Sequence, residues 1–207
     1  MRILIKFFSL FFLFFSTSLF AENYINVSYG ITTNDLSITA TRSTSITKDD
    51  DDEGFILSGG TLIGNSWGVD LMYYDLGSTS IKVDALDYVK IDNVEYEVQS
   101  GGTISNDISG YGIGLIGMSD ADLISFYVKA GVHAWDKSGS TTILDNNNAF
   151  AGSFYSKGIG GYGGIGIGLN VIENITLNIS YDIIGLSNNA QFDNASSILS
   201  GGLIFRF

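Results

Sequence analysis

Between Leu123 and Trp135 the chain alternates strictly: Ile124, Phe126, Val128, Ala130, Val132 and Ala134 against Ser125, Tyr127, Lys129, Gly131 and His133. A period of two puts successive side chains on opposite faces of a strand, so this stretch predicts a strand with one greasy and one polar face. The rhythm recurs. Tyr24–Thr33 sets Ile25, Val27, Tyr29 and Ile31 against Asn26, Ser28 and Gly30. Trp67–Gly77 sets Trp67, Val69, Leu71 and Tyr73 against Asp70. Ile104–Gly117 sets Tyr111, Ile113 and Leu115 against Gly110, Gly112 and Gly114, and Ser156–Leu169 sets Ile159, Ile165, Ile167 and Leu169 against Tyr162, Gly164, Gly166 and Gly168. Ile175–Leu186 alternates as cleanly, with Ile175, Leu177, Ile179, Tyr181 and Ile183 against Thr176, Asn178, Ser180 and Asp182. In Ala195–Phe207, Leu199, Leu203, Phe205 and Phe207 share one parity and Ser200, Gly202, Ile204 and Arg206 the other. Gly54–Ile63 completes a set of eight, but its parity is ambiguous.

Connections of two lengths separate these segments. Those at 63–66, 118–122 and 170–174 are short; those at 36–52, 78–103, 136–155 and 187–194 are longer. Eight alternating segments of about ten residues, with short turns at one end and long loops at the other, predict an antiparallel up-and-down β-barrel in an outer membrane. Both ends of the barrel chain then lie on the periplasmic side, and the last strand presents Phe207 at that interface.

The first 21 residues read differently. Met1–Lys6 carries two cations, Phe7–Phe15 is almost wholly apolar, and Ser16–Ala21 brings small residues, the layout of a secretory signal peptide cut after Ala21. The competing reading is a transmembrane anchor. Residues 22–207 are then one outer-membrane domain. No later run is long enough for a spanning helix, so a barrel is the remaining way to satisfy every backbone group in lipid.

Composition agrees. The chain has 26 glycines, no proline and no cysteine, which suits a strand-built protein held together without disulfides. Removing the two leader cations from ten basic residues leaves eight, against 22 acidic ones. Such a balance excludes nucleic acid, whose phosphates require Lys and Arg.

An eight-stranded barrel is just wide enough for side chains to fill. By parity Asp70, Lys129, His133, Asp182 and Arg206 point inward. Buried charge requires a partner, so Lys129 is expected to neutralise Asp182, and Asp70 to pair with Arg206 nearer the periplasmic end. The alternative use of these groups is a proton or ion path. Inward glycines on the fourth and sixth strands flank the bulky inward Tyr127, Lys129 and His133 of the fifth, leaving room for its side chains to cross the lumen. With no helix following, those glycines are not a nucleotide-binding loop.

His133 is the only histidine. It faces inward and no nucleophile motif accompanies it, so catalysis is not expected, and a single histidine without cysteine argues against zinc. No cofactor is implied. The run Asp49, Asp50, Asp51, Asp52 and Glu53 is a solvated loop whose candidate use is a loose Ca²⁺ or Mg²⁺ site. Lys157, Lys137 and Arg42 are candidate contacts to lipopolysaccharide phosphates.

The blocks "KDDDDEGFILSGG", "WGVDLMYYDLG", "FYVKAGVHAWD" and "GGIGIGLNVIENITLNISYD", in this order, resemble the OmpA-like transmembrane domain, the small outer-membrane β-barrel family. The resemblance covers nearly all of residues 22–207. It implies a non-enzymatic Gram-negative outer-membrane protein in contact with lipid and lipopolysaccharide, with Phe205 and Phe207 as the signal read by the barrel-assembly machinery. Many relatives continue into a peptidoglycan-binding domain, which is not expected after Phe207. The expected role is structural or interactive, through the outer loops of a monomer. A narrow porin-like channel and a lipid-modifying enzyme are the alternatives.

Overall fold

The computed structural model describes residues 21–34, 39–40, 46–49, 51–64, 66–83, 87–91, 94–98, 102–145, 148–186 and 195–207. Eight long strands make the barrel: β1 (Ala21–Asn34), β2 (Asp51–Ile63), β3 (Trp67–Val83), β4 (Gly102–Ala121), β5 (Ile124–Asp145), β6 (Asn148–Ile172), β7 (Ile175–Gly185) and β8 (Ala195–Arg206). Each pairs antiparallel with its chain neighbours, and β8 returns to β1 through the register Tyr24↔Arg206 to Asn34↔Ser196, closing the sheet. Closure removes the edges that an open sheet would leave unpaired in lipid. The leader expected over 1–21 lies outside the described residues except for Ala21, whose backbone opens β1.

Turns at the periplasmic end are tight. Gly64 and Asp122 both take positive φ there, 64° and 48°, in the β2–β3 and β4–β5 connections. Short backbone bonds tie each turn to the next: Asn170 N–H to Leu123 O and Arg206 N–H to Asn174 O, both 2.9 Å. Phe207 exchanges 2.9 Å backbone bonds with Asn23 in both directions, so the ladder continues through the terminal residue.

The alternation places the side chains as the pattern requires. Val27, Leu115, Val128, Ile165, Leu177, Ile179 and Leu203 stand exposed on the outside, while Asn26, Ser125, Lys129, Asn178, Ser180 and Asp182 are buried within. β2 resolves its ambiguous parity: Phe55 and Leu57 face out, and Ile56, Ser58 and Leu62 face in. On β5 the outward apolar row runs from Ile124 to Ala134. Ten intervals at roughly 3.3 Å, inclined by about 40°, give a height of about 25 Å, the expected thickness of a lipid-facing band.

Above that band the strands do not end. The stretches 78–103 and 136–155, expected as loops, are largely strand. β3 and β4 stay paired to Val83↔Gly102, and β5 and β6 to Asp145↔Asn148. In Ser138–Thr142 the sequence is polar or small at every position and the outward Ser138, Ser140 and Thr142 are exposed, so alternation vanishes while pairing persists. Strand Ile46–Asp49 extends this outer sheet by pairing with the top of β3, and Thr39–Ala40, Asp87–Ile91 and Val94–Val98 make a separate three-stranded sheet. The expected loop at 187–194 lies outside the described residues.

Candidate functional site in the barrel lumen

The lumen is layered. Starting at the periplasmic end, Tyr24, Leu62, Ile116, Met118, Tyr127 and Ile204 form an apolar layer. Next comes a charged layer holding Asp70, Lys129 and Asp182, all buried. Above it, Ile56, Leu76, Ile108, Trp135, Ile184, Leu186 and Ile198 form a second apolar layer with Met72, Tyr74 and Tyr162. Apolar layers on both sides shut the charges away from water, so each charge depends on partners within the protein.

Those partners are specific. Lys129 Nζ lies 2.9 Å from Asp182 Oδ1, and the Ser180 hydroxyl donates to Asp182 Oδ2 at 3.1 Å. Ser180 also meets Ser200 at 2.9 Å across β7 and β8. Glycines make the crossing possible. A Cβ on Gly164 would come within 3.0 Å of Lys129 Cε and collide with the Asp182 carboxylate, and one on Gly166 would collide with the Tyr127 ring. The sixth strand therefore offers bare backbone where the fifth strand's side chains pass.

Asp70 and Arg206, expected to pair, do not. Tyr24 donates a short hydrogen bond to Asp70, and the Tyr162 hydroxyl approaches its Oδ2 at 3.4 Å. Arg206 instead grips Asp120 with two bonds, Nη1 to Oδ2 at 2.5 Å and Nη2 to Oδ1 at 2.9 Å, with Glu22 Oε1 3.9 Å from its Nε. The cause is barrel stagger. Arg206, Tyr24, Gly60 and Asp70 occupy one continuous ladder row, but strand tilt lifts such a row toward the outside as it goes round. Asp70 therefore sits well above Arg206, and the carboxylate facing the guanidinium at its own height is Asp120, at the end of β4.

His133 is fully engaged. Its Nε2 lies 2.8 Å from the Gly185 carbonyl oxygen, which can only accept, so Nε2 carries the proton. Nδ1 then accepts the Tyr74 hydroxyl at 2.7 Å. No ring nitrogen is left for a nucleophile or a metal. Of the acidic run, Asp50 and the side chains of Asp49 and Asp51 lie outside the described residues, as does Arg42. The Asp52 carboxylate accepts the backbone N–H groups of Glu53 and Ser78, and Glu53 accepts the Tyr29 hydroxyl. No group of three or more His, Cys, Asp or Glu among the described residues could hold a metal ion. Lys157 is exposed on the outer wall, and its partner across the ladder is Asp136.

Tyr24, Tyr162, Tyr74 and Asp120 are the residues that sequence reasoning left out of the network. Parity alone could have supplied them, since each shares the inward register of its strand.

Outside, aromatic residues bracket the apolar wall. Trp67, Phe205 and Phe207 are exposed near the periplasmic turns; Tyr29, Tyr111 and Tyr155 are exposed toward the outer end. Asp75, Ser109, Asp136 and Lys157 form one ladder row across β3 to β6 just above that end, and Tyr155 donates to Asp136 at 2.6 Å. Carboxylates facing outward cannot lie in hydrocarbon, so this row marks the upper limit of the membrane.

No family model matches the sequence, and no curated protein matches it. Solved structures do. Ail, the attachment invasion locus protein of Yersinia pestis, determined with the heparin analogue sucrose octasulfate, aligns with a TM-score of 0.53 at 16% identity over 91% of this chain and 100% of that one. The outer membrane protein OprG of Pseudomonas aeruginosa aligns with a TM-score of 0.51 at 12% identity over 89% of this chain and 96% of that one. At such identities the likeness is one of fold. The fold is the closed, small outer-membrane barrel that the OmpA-like resemblance implies, with the apolar wall that such a barrel turns to lipid.

Proposed function

We propose that this protein is a monomeric, non-enzymatic resident of a Gram-negative outer membrane that acts by presenting its outer sheet and loops, while its barrel serves as anchor and contributes to envelope integrity. The observation that carries this reading is the layered lumen: two apolar layers enclose the Lys129–Asp182 pair, and Arg206 with Asp120 stands at the periplasmic end. A lumen filled in this way offers no path to solutes, so the surface available for work is the part outside the membrane. His133, with both nitrogens committed, supports a non-catalytic reading.

The charge of the outer surface bears on the partner. Glu53, Asp75, Asp107 and Asp136 face outward on four consecutive strands, with Lys157 on the next. A polyanion of the kind seen with Ail fits this surface poorly; a cationic partner surface fits it better. The lipid wall contacts lipopolysaccharide, with Lys157 as a point charge for its phosphates. Phe207 guides insertion by the assembly machinery.

Planar-bilayer recording on the refolded protein tests the reading. The expected result is no steady conductance, and a large steady conductance would replace the anchor with a channel. Cells displaying the protein should also adhere to polylysine-coated more than to heparin-coated surfaces, by a margin lost when Glu53, Asp75, Asp107 and Asp136 are neutralised together.

A further inference from the structure

Ion pairing does not exhaust the chemistry of Lys129 and Asp182. Lys129, Gly164 and Asp182 stand opposite one another on β5, β6 and β7. Side chains from strands two positions apart meet only by running over the strand between them, and Gly164 leaves that space open: a Cβ there would collide with the Asp182 carboxylate and come within 3.0 Å of Lys129 Cε. Asp70, the other carboxylate of the layer, is taken by the hydroxyls of Tyr24 and Tyr162. Asp182 is the ion partner of Lys129 among the described residues, with Nζ 2.9 Å from Oδ1. The contact is close but not aligned as a hydrogen bond, and Oδ1 is otherwise buried without a donor.

In water an ammonium and a carboxylate remain ions, because hydration holds both charges and hydrolysis reverses any condensation. Both obstacles are removed here. Lys129 is 3% exposed and Asp182 1%, and an apolar layer closes the lumen on either side of them. A dry setting favours the neutral forms of such a pair over its ions, and it withholds the water that would hydrolyse an amide. Reacting atoms held about 3–3.5 Å apart are in attack range, and a nitrogen 2.9 Å from Oδ1 stands within about one C–O bond of that range to Cγ.

We propose that Lys129 and Asp182 condense to an amide that staples β5 to β7 across the lumen. A proton passes from Nζ to Oδ1, giving amine and acid. The nitrogen lone pair attacks Cγ, and Oδ2 takes the electron pair displaced from the C=O bond. The Ser180 hydroxyl, which donates to Oδ2 at 3.1 Å, stabilises that charge as an oxyanion donor. As the carbonyl re-forms on Oδ2, a second nitrogen proton goes to Oδ1 and the Cγ–Oδ1 bond breaks. Ammonium and carboxylate thus yield one amide and one water, with no oxidant, reductant or outside proton. The chain has no cysteine, so a disulfide is closed to it. An amide closing the loop from 129 to 182 restricts the unfolded chain in the same way.

Mass spectrometry of the full barrel tests this. The same chain is weighed as unfolded inclusion-body protein and again after folding into lipid vesicles. Folding should lower the mass by one water in most molecules, and proteolysis should release a branched fragment joining Lys129 to Asp182. Lys129→Arg keeps the cation but offers a guanidinium too weakly nucleophilic to react, and it should fold at full mass, as should Asp182→Ala. Gly164→Ala keeps both reacting groups and crowds the carboxylate, so it should lose most of the product. Heat-modifiable migration establishes that each variant forms the barrel, and the branched fragment is read on the parent, so it stands even where a variant fails to fold. A parent that folds without losing water overturns the proposal. A loss of water that persists in Lys129→Arg, or a branched fragment joining other residues, places the condensation elsewhere and overturns it as well.

Discussion

The lower and upper halves of β5 and β6 are one continuous ladder, yet they obey different rules. From Ile124 to Trp135 the residues of β5 alternate between an apolar outer wall and a lumen that buries Ser125, Tyr127, Lys129, His133 and Trp135. From Asp136 upward the ladder to β6 continues through Asp145↔Asn148, but the alternation stops. Hydrogen bonding is therefore not what distinguishes them. The lower half separates two media, lipid and a packed interior, and a one-residue slip would exchange every side chain between them. The upper half turns its outward face to water, so its outward residues are free of the lipid that fixes the lower half, and a slip costs less there. Register in the lower half is fixed by burial, and the upper half inherits it through the ladder.

That difference predicts where substitutions hurt. The largest effect belongs to the interior. Lys129→Ala leaves the Asp182 carboxyl without its cation between two apolar layers, and breaking such a buried pair costs about 3–5 kcal/mol. Adding Asp182→Ala should restore part of the loss, because no lone charge remains. Urea unfolding of the protein in lipid vesicles measures both. A strictly additive pair of effects would show that the 2.9 Å contact carries no coupling.

Next comes the wall. Arginine at Ile179 should cost about 2–4 kcal/mol near the bilayer midplane, while arginine at Ser140 in the outer arm should stay within about 0.5 kcal/mol of the parent. Equal costs would break the distinction between the two halves. Lipid-soluble labelling of single cysteines offers a finer check: Ile179→Cys should react and Ser180→Cys should not.

These two predictions rest on what the sequence makes legible. Alternation identified eight strands, the faces of all but Gly54–Ile63, and the inward placement of Asp70, Lys129, His133, Asp182 and Arg206, because in lipid the period of two is enforced by solvent. The Lys129–Asp182 pair also followed, since the two residues lie at similar heights with only a glycine-lined strand between them. The partner of Arg206 did not. Choosing Asp120 over Asp70 requires the stagger of the barrel, which no single strand records. The outer arms were equally hidden: without lipid outside there is no outward apolar row, and the serines, threonines and glycines of 138–142 read as loop.

A smaller interior effect separates hydrogen bonding from charge pairing. Asp70 accepts hydrogen bonds from the Tyr24 and Tyr162 hydroxyls. Removing one donor from a buried acid costs on the order of 1.5–3 kcal/mol. Of the two, Tyr24→Phe should cost more, because the Tyr162 contact is long at 3.4 Å. Unfolding of the two single variants ranks them, and the reverse order would mean that Tyr162 is the principal donor.

The smallest effect sharpens the division most. The Ser105–Ser140 hydrogen bond, 2.9 Å long, joins β4 and β5 above the membrane. Both hydroxyls are accessible to water, so removing them trades one hydrogen bond for another. Ser105→Ala with Ser140→Ala should shift unfolding by no more than about 0.5 kcal/mol. Ser180→Ala, at the buried Ser180–Ser200 contact of the same length, strands both Ser200 and one side of Asp182 without water to replace the lost donor. It should cost on the order of 1–3 kcal/mol. The two serine pairs have the same length and differ in whether water can substitute and in the further bond from Ser180 to Asp182. If the outer pair matched the inner one, the outward face at that height would be shielded from water, and the boundary drawn at Asp75, Ser109, Asp136 and Lys157 would have to move outward.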